Sequence, residues 1–311
     1  MRFLIIGAGG IGCYYGARLQ QAGHQVVLVA RGEHLAAMQQ QGLRVEHEDF
    51  RFSQPVAALD VASLRETCAS GDFDLVVLAM KSQATGPLMA ELADWLATST
   101  VPVLSLQNGV DNEPLISEVV GEARTLGGLA VRIGGHIVAP GLVQADGPAQ
   151  VIMGAWPQQR RAQAGLLEQL RQCFEQAGIP TRVVVDIRRE LWRKLIINNG
   201  VNPLSALTGL DTRRLSHHPQ LGRSVYQMMA ETAAVAAADG VSLGKTDVDE
   251  MYALIRNFDA IKTSMLVDKE KGRELELDAI SGAVLRRAEQ LGLEVPATRL
   301  AHGLLRLTAV A

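Results

Sequence analysis

Hydrophobic positions follow two regimes along the chain. In the first, short apolar runs at Phe3–Ile6, Gln25–Ala30, Leu75–Met80 and Val101–Leu106 alternate with segments whose apolar residues recur at helical spacing, such as Ile11–Gln21, Leu88–Leu96 and Glu113–Val120. Strands that are apolar throughout are covered on both faces, and helices between them imply right-handed crossovers, so a parallel sheet is predicted. Ala130–Ile133, Gly141–Ala145 and Gln150–Met153 read as further strands joined by Gly/Pro turns, forming an antiparallel extension of that sheet. Ala162–Gln176 is helical, Gly178 and Pro180 punctuate the chain, and Thr181–Val185 is the last strand. The second regime is helical, with patterns at Ile187–Leu207, Gln220–Asp239, Asp247–Asn257, Asp278–Leu291 and Thr298–Leu307. A domain boundary is placed near Val185, giving residues 1–185 and an all-α domain over 186–311 with no low-complexity linker and no internal repeat.

A length of 311 residues agrees with two domains. A net charge of -3 and the lack of a basic stripe argue against a nucleic-acid partner; Arg286-Arg287, the nearest candidate, reads as the solvated face of a helix. Cys13, Cys68 and Cys173 are odd in number and far apart, which argues against a disulfide framework or a metal site and suits a reducing cytoplasm. The opening apolar run is too short for a signal peptide, and no stretch reaches the roughly 20 apolar residues that cross a bilayer. A soluble, cytoplasmic protein is expected.

Gly7-Ala8-Gly9-Gly10-Ile11-Gly12 fits G-x-G-x-x-G directly after the first strand and before the first helix. Gly7 permits the tight turn, Gly9 lets backbone amides approach a pyrophosphate, and Gly12 lets the helix pack on the strand. With Gly10 and Ile11 these residues place unpaired N–H groups and a partial positive charge at a phosphate site. The context marks a Rossmann-type α/β domain that binds a dinucleotide; the plain alternative is a glycine turn that serves packing alone. NAD-binding domains carry an acidic residue at the end of the second strand, whereas Val26–Ala30 runs into Arg31, a residue suited to a 2′-phosphate. NADP (as NADPH) is therefore the expected cofactor; the plain alternative is a surface arginine at a loop start. Lys81 and Asn108 follow the third and fourth strands, where ligands of open parallel sheets bind, although polar residues end many strands without a role.

In Leu191–Pro203, Lys194, Asn198 and Asn202 share one helical face at i, i+4 and i+8. The other faces carry Trp192, Ile196, Ile197 and Val201, so the helix should be buried, and Pro203 should bend it. Buried asparagines must bond to neighbouring helices or point into a ligand cleft. Lys194 is either a general acid with a pKa lowered by desolvation or a snorkelling surface lysine.

Taken in order, these residues resemble the ketopantoate reductase (2-dehydropantoate 2-reductase) family over almost the whole chain. The marks are the glycine turn, Lys81, Leu106-Gln107-Asn108-Gly109, Glu190–Leu195 continuing to Asn198 and Asn202-Pro203-Leu204, His217-His218-Pro219, Ser264-Met265, and Gly272-Arg273 through Glu276-Leu277-Asp278 to Gly282. The resemblance implies NADPH-dependent reduction of a small 2-oxo acid, with Lys194 as general acid and Glu276 holding the substrate hydroxyl. It implies Asn108, Asn198, Asn202 and Ser264 as substrate ligands, Arg31 on the 2′-phosphate and Lys81 near cofactor and substrate. The chain departs from the family pattern at Ile261, Thr212, Leu275 and Ser82–Thr85, which bears on the choice of 2-oxo acid. A reductase of a different 2-oxo acid and a non-catalytic NADP-sensing protein are the competing readings. The apolar surface of the helical domain would serve a homodimer or domain docking equally.

Overall fold

The computed structural model describes residues 1–158, 161–258 and 260–308. Internal contacts divide the chain into Met1–Gln107 with Asn112–Ile187, and Asn108–Asp111 with Arg188–Ala311.

The first unit holds β1 (Arg2–Ile6), β2 (Gln25–Val29), β3 (Leu43–His47), β4 (Phe50–Gln54), β5 (Ala57–Leu59), β6 (Leu75–Leu78), β7 (Val103–Ser105), β8 (Thr125–Val131), β9 (Gly134–Ala139), β10 (Leu142–Asp146), β11 (Gln150–Ala155) and β12 (Thr181–Val183). Its helices are α1 (Gly10–Gln21), α2 (Gly32–Gln41), α3 (Val61–Thr67), α4 (Thr85–Ala97), α5 (Asn112–Val120) and α6 (Ala164–Gln176). An eight-stranded sheet runs β12-β11-β8-β7-β6-β1-β2-β5. Every pair in it is parallel except β8 with β11. The period of two along β1 explains why both faces are covered. Phe3 and Ile5 enter one core with Tyr14, Leu19, Leu167 and Phe174, while Leu4 and Ile6 enter another with Leu92, Trp95 and Ile116.

The parallel sheet with an antiparallel extension is as the sequence predicts, but the extension consists of β11 and β12, parallel to each other and antiparallel to the other six strands. Gly141–Ala145, expected in the same sheet, contributes β10 to a separate four-stranded sheet, β4-β3-β10-β9, where β10 pairs parallel to β3 and antiparallel to β9. Burial alternates along β10, as it does along β3 and β4. Such one-sided strands fit a sheet with one face packed, not a strand order buried on both sides. The expected strand Ala130–Ile133 is also out of place: β8 starts earlier, at Thr125, and Arg132 beyond its end has φ +54°. Gly127 and Gly128 obscure this strand in the sequence. The structure needs them small, since a Cβ on Gly128 would lie 2.8 Å from the Ser105 carbonyl oxygen.

The second unit is built from α7 (Ile187–Thr208), α8 (Thr212–His217), α9 (Leu221–Ala238), α10 (Lys245–Arg256), α11 (Ser264–Glu270), a π-helical turn at Asp278–Gly282 that runs into α12 (Ala283–Leu291), and α13 (Pro296–Thr308). No strand occurs beyond Val183 among the described residues. Helix α7 continues through Pro203 to Thr208, with Leu191, Trp192, Leu195, Ile196 and Val201 buried. The buried Glu231 of α9 caps the start of α13, accepting from Ala297 N (3.0 Å), Thr298 N (2.9 Å) and Thr298 Oγ1 (2.8 Å). Helix α12 ends at Gly292 with φ +67°, the left-handed cap that glycine adopts without strain. No helix of the described residues is long and apolar enough to cross a membrane.

Candidate active site

In the first unit, the glycine turn hangs from the end of β2: Gly7 N and Ala8 N both donate to Val29 O, at 3.1 and 2.9 Å. Gly7 has φ +99°, and a Cβ there would meet Met80 Cα at 2.7 Å, so the turn admits only glycine. At Gly12 a Cβ would collide with the Gly7 carbonyl oxygen and approach Ile5 Cγ2 to 3.2 Å, which seats α1 on β1. Gly9 differs: a Cβ there meets nothing within 4 Å. Its missing side chain leaves open space beside the first amides of α1, the room a pyrophosphate needs. Ile11 packs on the sheet core and presents its backbone N–H in the first turn of α1.

Gly10 has a role that the motif does not convey. It lies backbone to backbone against Gly135 of β9, and a Cβ on Gly10 would collide with the Gly135 carbonyl and come within 2.5 Å of His136 N. The second sheet is thereby fitted to the start of α1. His34 adds another tie that sequence reasoning missed. Gly141 N donates to its Nδ1 (3.0 Å), and Cys13 Sγ lies 3.5 Å from its Nε2 while donating to Ala8 O at 3.2 Å. Burial lowers the pKa of the His34 ring, with the Ala8 carbonyl acting in the opposite direction.

Arg31 is the N-cap residue of α2 and is exposed, with no side-chain partner among the described residues. Lys81 is exposed at the start of a 3-10 turn over Ser82–Ala84. The buried Gln107 donates to Met80 O (3.0 Å) and Thr85 Oγ1 (2.8 Å), and Thr85 Oγ1 donates to Asn112 Oδ1 (2.8 Å). This network fixes the strand ends that precede Lys81 and Asn108. A glutamine closing an apolar run was its signal in the sequence.

In the second unit, Asn108 Nδ2 donates to Glu276 Oε2 at 3.1 Å, and Glu276 is 7% exposed. Lys194 of α7 is partly buried; desolvation brings its pKa down to about 8, against the upward pull of the Glu276 carboxylate. Asn198 and Asn202 follow at one and two turns on the face of Lys194. Asn202 is only 4% exposed, and neither asparagine has a side-chain hydrogen-bond partner among the described residues. The helix-to-helix role belongs instead to Asn199, whose Nδ2 donates to Thr232 Oγ1 (2.9 Å) and Thr298 Oγ1 (3.1 Å). Ser264 is the exposed first residue of α11, and no side-chain bond joins it to Lys194, Asn198, Asn202 or Glu276. At the departures from the family pattern, Ile261 N and O bond to Thr212 Oγ1 (3.4 Å) and Thr212 N (3.0 Å), while Ile261 is 50% exposed.

The reading of Arg286-Arg287 as a solvated face is overturned for Arg287. Its side chain is 15% exposed and pairs with Asp111 Oδ1 at 2.6 Å and Asp239 Oδ2 at 3.3 Å. These acidic partners are distant in sequence, so the basic dipeptide gave no sign of them.

Two family models match the chain: "Ketopantoate reductase PanE/ApbA" over residues 3–158 and "Ketopantoate reductase PanE/ApbA C terminal" over 186–309. A 2-dehydropantoate 2-reductase of Pyrococcus horikoshii is 29% identical over 310 residues, covering 98% of this chain and 97% of the relative. The crystal structure of a PanE/ApbA family ketopantoate reductase from Ralstonia eutropha JMP134 matches with a TM-score of 0.87 at 32% identity, over 99% of this chain and 98% of that one. A D-mandelate dehydrogenase solved with NADH and anilino(oxo)acetate shares the fold, with a TM-score of 0.88 at 22% identity over 99% and 98% of the two chains.

Proposed function

The chain belongs to the ketopantoate reductase family, an oxidoreductase family, and from that membership we propose that it reduces 2-dehydropantoate to pantoate with NADPH. We assign cofactor binding to the first unit and substrate binding and proton transfer to the second. The observation that carries this reading is the grouping of a lysine of lowered pKa, a buried carboxylate and a carboxylate-bound amide: Lys194, Glu276 and Asn108.

The residues of the first unit fit a dinucleotide. The open side of Gly9 and the first amides of α1 would hold the pyrophosphate, and Arg31, exposed at the start of α2, would take the 2′-phosphate that distinguishes NADP from NAD. Lys81, exposed beyond the end of β6, would lie near the cofactor. When bound, the reduced nicotinamide supplies a hydride to the ketone carbon of the 2-oxo acid. Lys194 stabilises the charge that builds on the ketone oxygen and donates its proton there; with a pKa near 8 it is charged at neutral pH yet gives up the proton readily. Glu276, oriented by Asn108, accepts from the substrate hydroxyl and fixes which face of the ketone is presented. Asn198, Asn202 and the hydroxyl of Ser264 provide uncommitted polar groups for the remaining substrate oxygens. The three free cysteines agree with a cytoplasmic enzyme.

Steady-state oxidation of NADPH with 2-dehydropantoate, pyruvate and 2-oxoisovalerate tests the proposal. Preference for 2-dehydropantoate supports it. Preference for another 2-oxo acid keeps the chemistry and replaces the substrate. Tight NADPH binding with no turnover on any of them makes the protein a cofactor sensor and rejects the enzymatic reading.

A further inference from the structure

We propose that Arg287, through Asp111, is a positioning residue for the reduction: it holds the segment carrying Asn108 in register with the segments carrying Glu276 and Lys194. This rests on the reading above, in which those three side chains meet the substrate.

Asn108–Asp111 is a four-residue segment that packs with the second unit. Its backbone approaches the π-helical turn closely. Gly109 has φ +98°, and a Cβ on it would lie 2.9 Å from the Ala279 carbonyl oxygen. With glycine beside the functional asparagine, the backbone of this segment is conformationally permissive.

Arg287 ties this backbone down through its neighbours. Nη1 pairs with Asp111 Oδ1 at 2.6 Å, Nη2 donates to Val110 O at 3.5 Å, and Nε pairs with Asp239 Oδ2 at 3.3 Å. The guanidinium lies 5.3 Å from the ring centroid of Trp192, two residues before Lys194 on α7. It is rooted in α12, which the π-helical turn after Glu276 runs into. One side chain thus reaches the asparagine segment, the lysine helix and the carboxylate segment together. Arg286 reinforces two of the three, with Nη2 at 2.7 Å from Asp111 Oδ2 and 3.0 Å from Asp278 O. Arg188 holds Asp239 from α7, Nη2 donating to its carbonyl at 3.1 Å. The planar guanidinium fits this task because its fixed donors bind several acceptors in different directions; a lysine offers only a point charge.

Arg287 touches no reacting atom, so its removal should loosen geometry and leave chemistry otherwise intact. Misplacement by about 1 Å can lower a rate on the order of a hundredfold. For R287M and for D111N, kcat/KM with 2-dehydropantoate is expected to fall on the order of ten- to a hundredfold, while NADPH affinity stays within about twofold of the parent. D111N removes the charge at nearly constant size, which keeps the test decisive if R287M folds poorly. The discriminating measurement is made in an N108A background. There, D111N should lower kcat/KM no further, because the group it positions is gone. A further drop matching the loss seen in the parent would show general structural damage and overturn the proposal, as would parent-like kcat/KM in both single variants. If the parent protein turns over no 2-oxo acid, the underlying functional reading fails. If the parent is active and N108A impaired while D111N is not, only the positioning role of Arg287 falls.

Discussion

Asn108 and Glu276 stand 168 positions apart in sequence and are joined by a 3.1 Å hydrogen bond, amide to carboxylate. The bond helps to orient the carboxylate, and the charge of that carboxylate acts on Lys194. Its partner is an asparagine at a strand end, so the geometry of the site depends on chain from both halves of the sequence.

Lys194→Ala should lower kcat by about 10²–10⁴-fold, the usual contribution of a general acid, while NADPH affinity changes little. In the parent enzyme, kcat/KM for reduction should be level below pH 8 and decline above it, because a pKa of about 8 leaves the lysine without its proton at higher pH. A profile flat to pH 10 removes Lys194 from the role.

The same lysine should cost stability. Its pKa is about 8 in the folded chain against an ordinary 10.5, so between those values the unfolded chain binds more protons and stability rises with pH. Below pH 8 the full penalty applies. Lys194→Met is therefore expected to raise stability at pH 7 by about 1–3 kcal/mol, less than the unscreened value of the shift because the side chain is partly accessible. The difference should shrink as pH rises from 8 to 10.5. Thermal melts of both proteins across that range check it.

Arg31→Ala should weaken NADPH binding by about ten- to a hundredfold, the loss of one or two charged hydrogen bonds, and leave NADH binding unchanged. Equal losses for both dinucleotides would move Arg31 off the 2′-phosphate.

Two alanine substitutions in the glycine turn should separate stability from binding. Gly9→Ala adds a Cβ that meets nothing within 4 Å, so melting should stay near the parent value while dinucleotide affinity collapses. Gly12→Ala drives its Cβ into the Gly7 carbonyl oxygen and should lower stability directly. Calorimetry with and without NADPH distinguishes the two.

Glu231→Ala should destabilise the chain by about 2–4 kcal/mol, because two backbone amides and the Thr298 hydroxyl lose their acceptor inside the helical unit. Chemical denaturation gives the value, with NADPH affinity expected to be retained.

Much of this architecture was legible in the sequence wherever one residue type answers to one local cause. The apolar runs of β1, β2 and β6 marked strands covered on both faces, and the glycine turn between β1 and α1 announced its own geometry. Strands β3 and β4 do alternate, but their charged outward positions hid them, and β10 was given to the wrong sheet because pairing partners are not a local property. Helical phase separated Asn198 and Asn202 from Asn199, yet only packing revealed that Asn199 bonds to Thr232 and Thr298. Arg287 was misjudged for the same reason: its charge was visible, while Asp111 and Asp239 come from elsewhere in the chain. Local pattern therefore specified the candidate chemistry and left its supports to be found in three dimensions.

The apposition of Gly10 with Gly135 limits how this protein can be divided or transplanted. The dinucleotide turn looks like a module complete within the opening strands and helix, but its helix start is shaped to receive a hairpin encoded more than a hundred residues later. A transplant of the early segment alone would carry a glycine with nothing to press against, and a side chain acquired at either position would wedge the hairpin away. The two glycines must therefore be inherited as a pair.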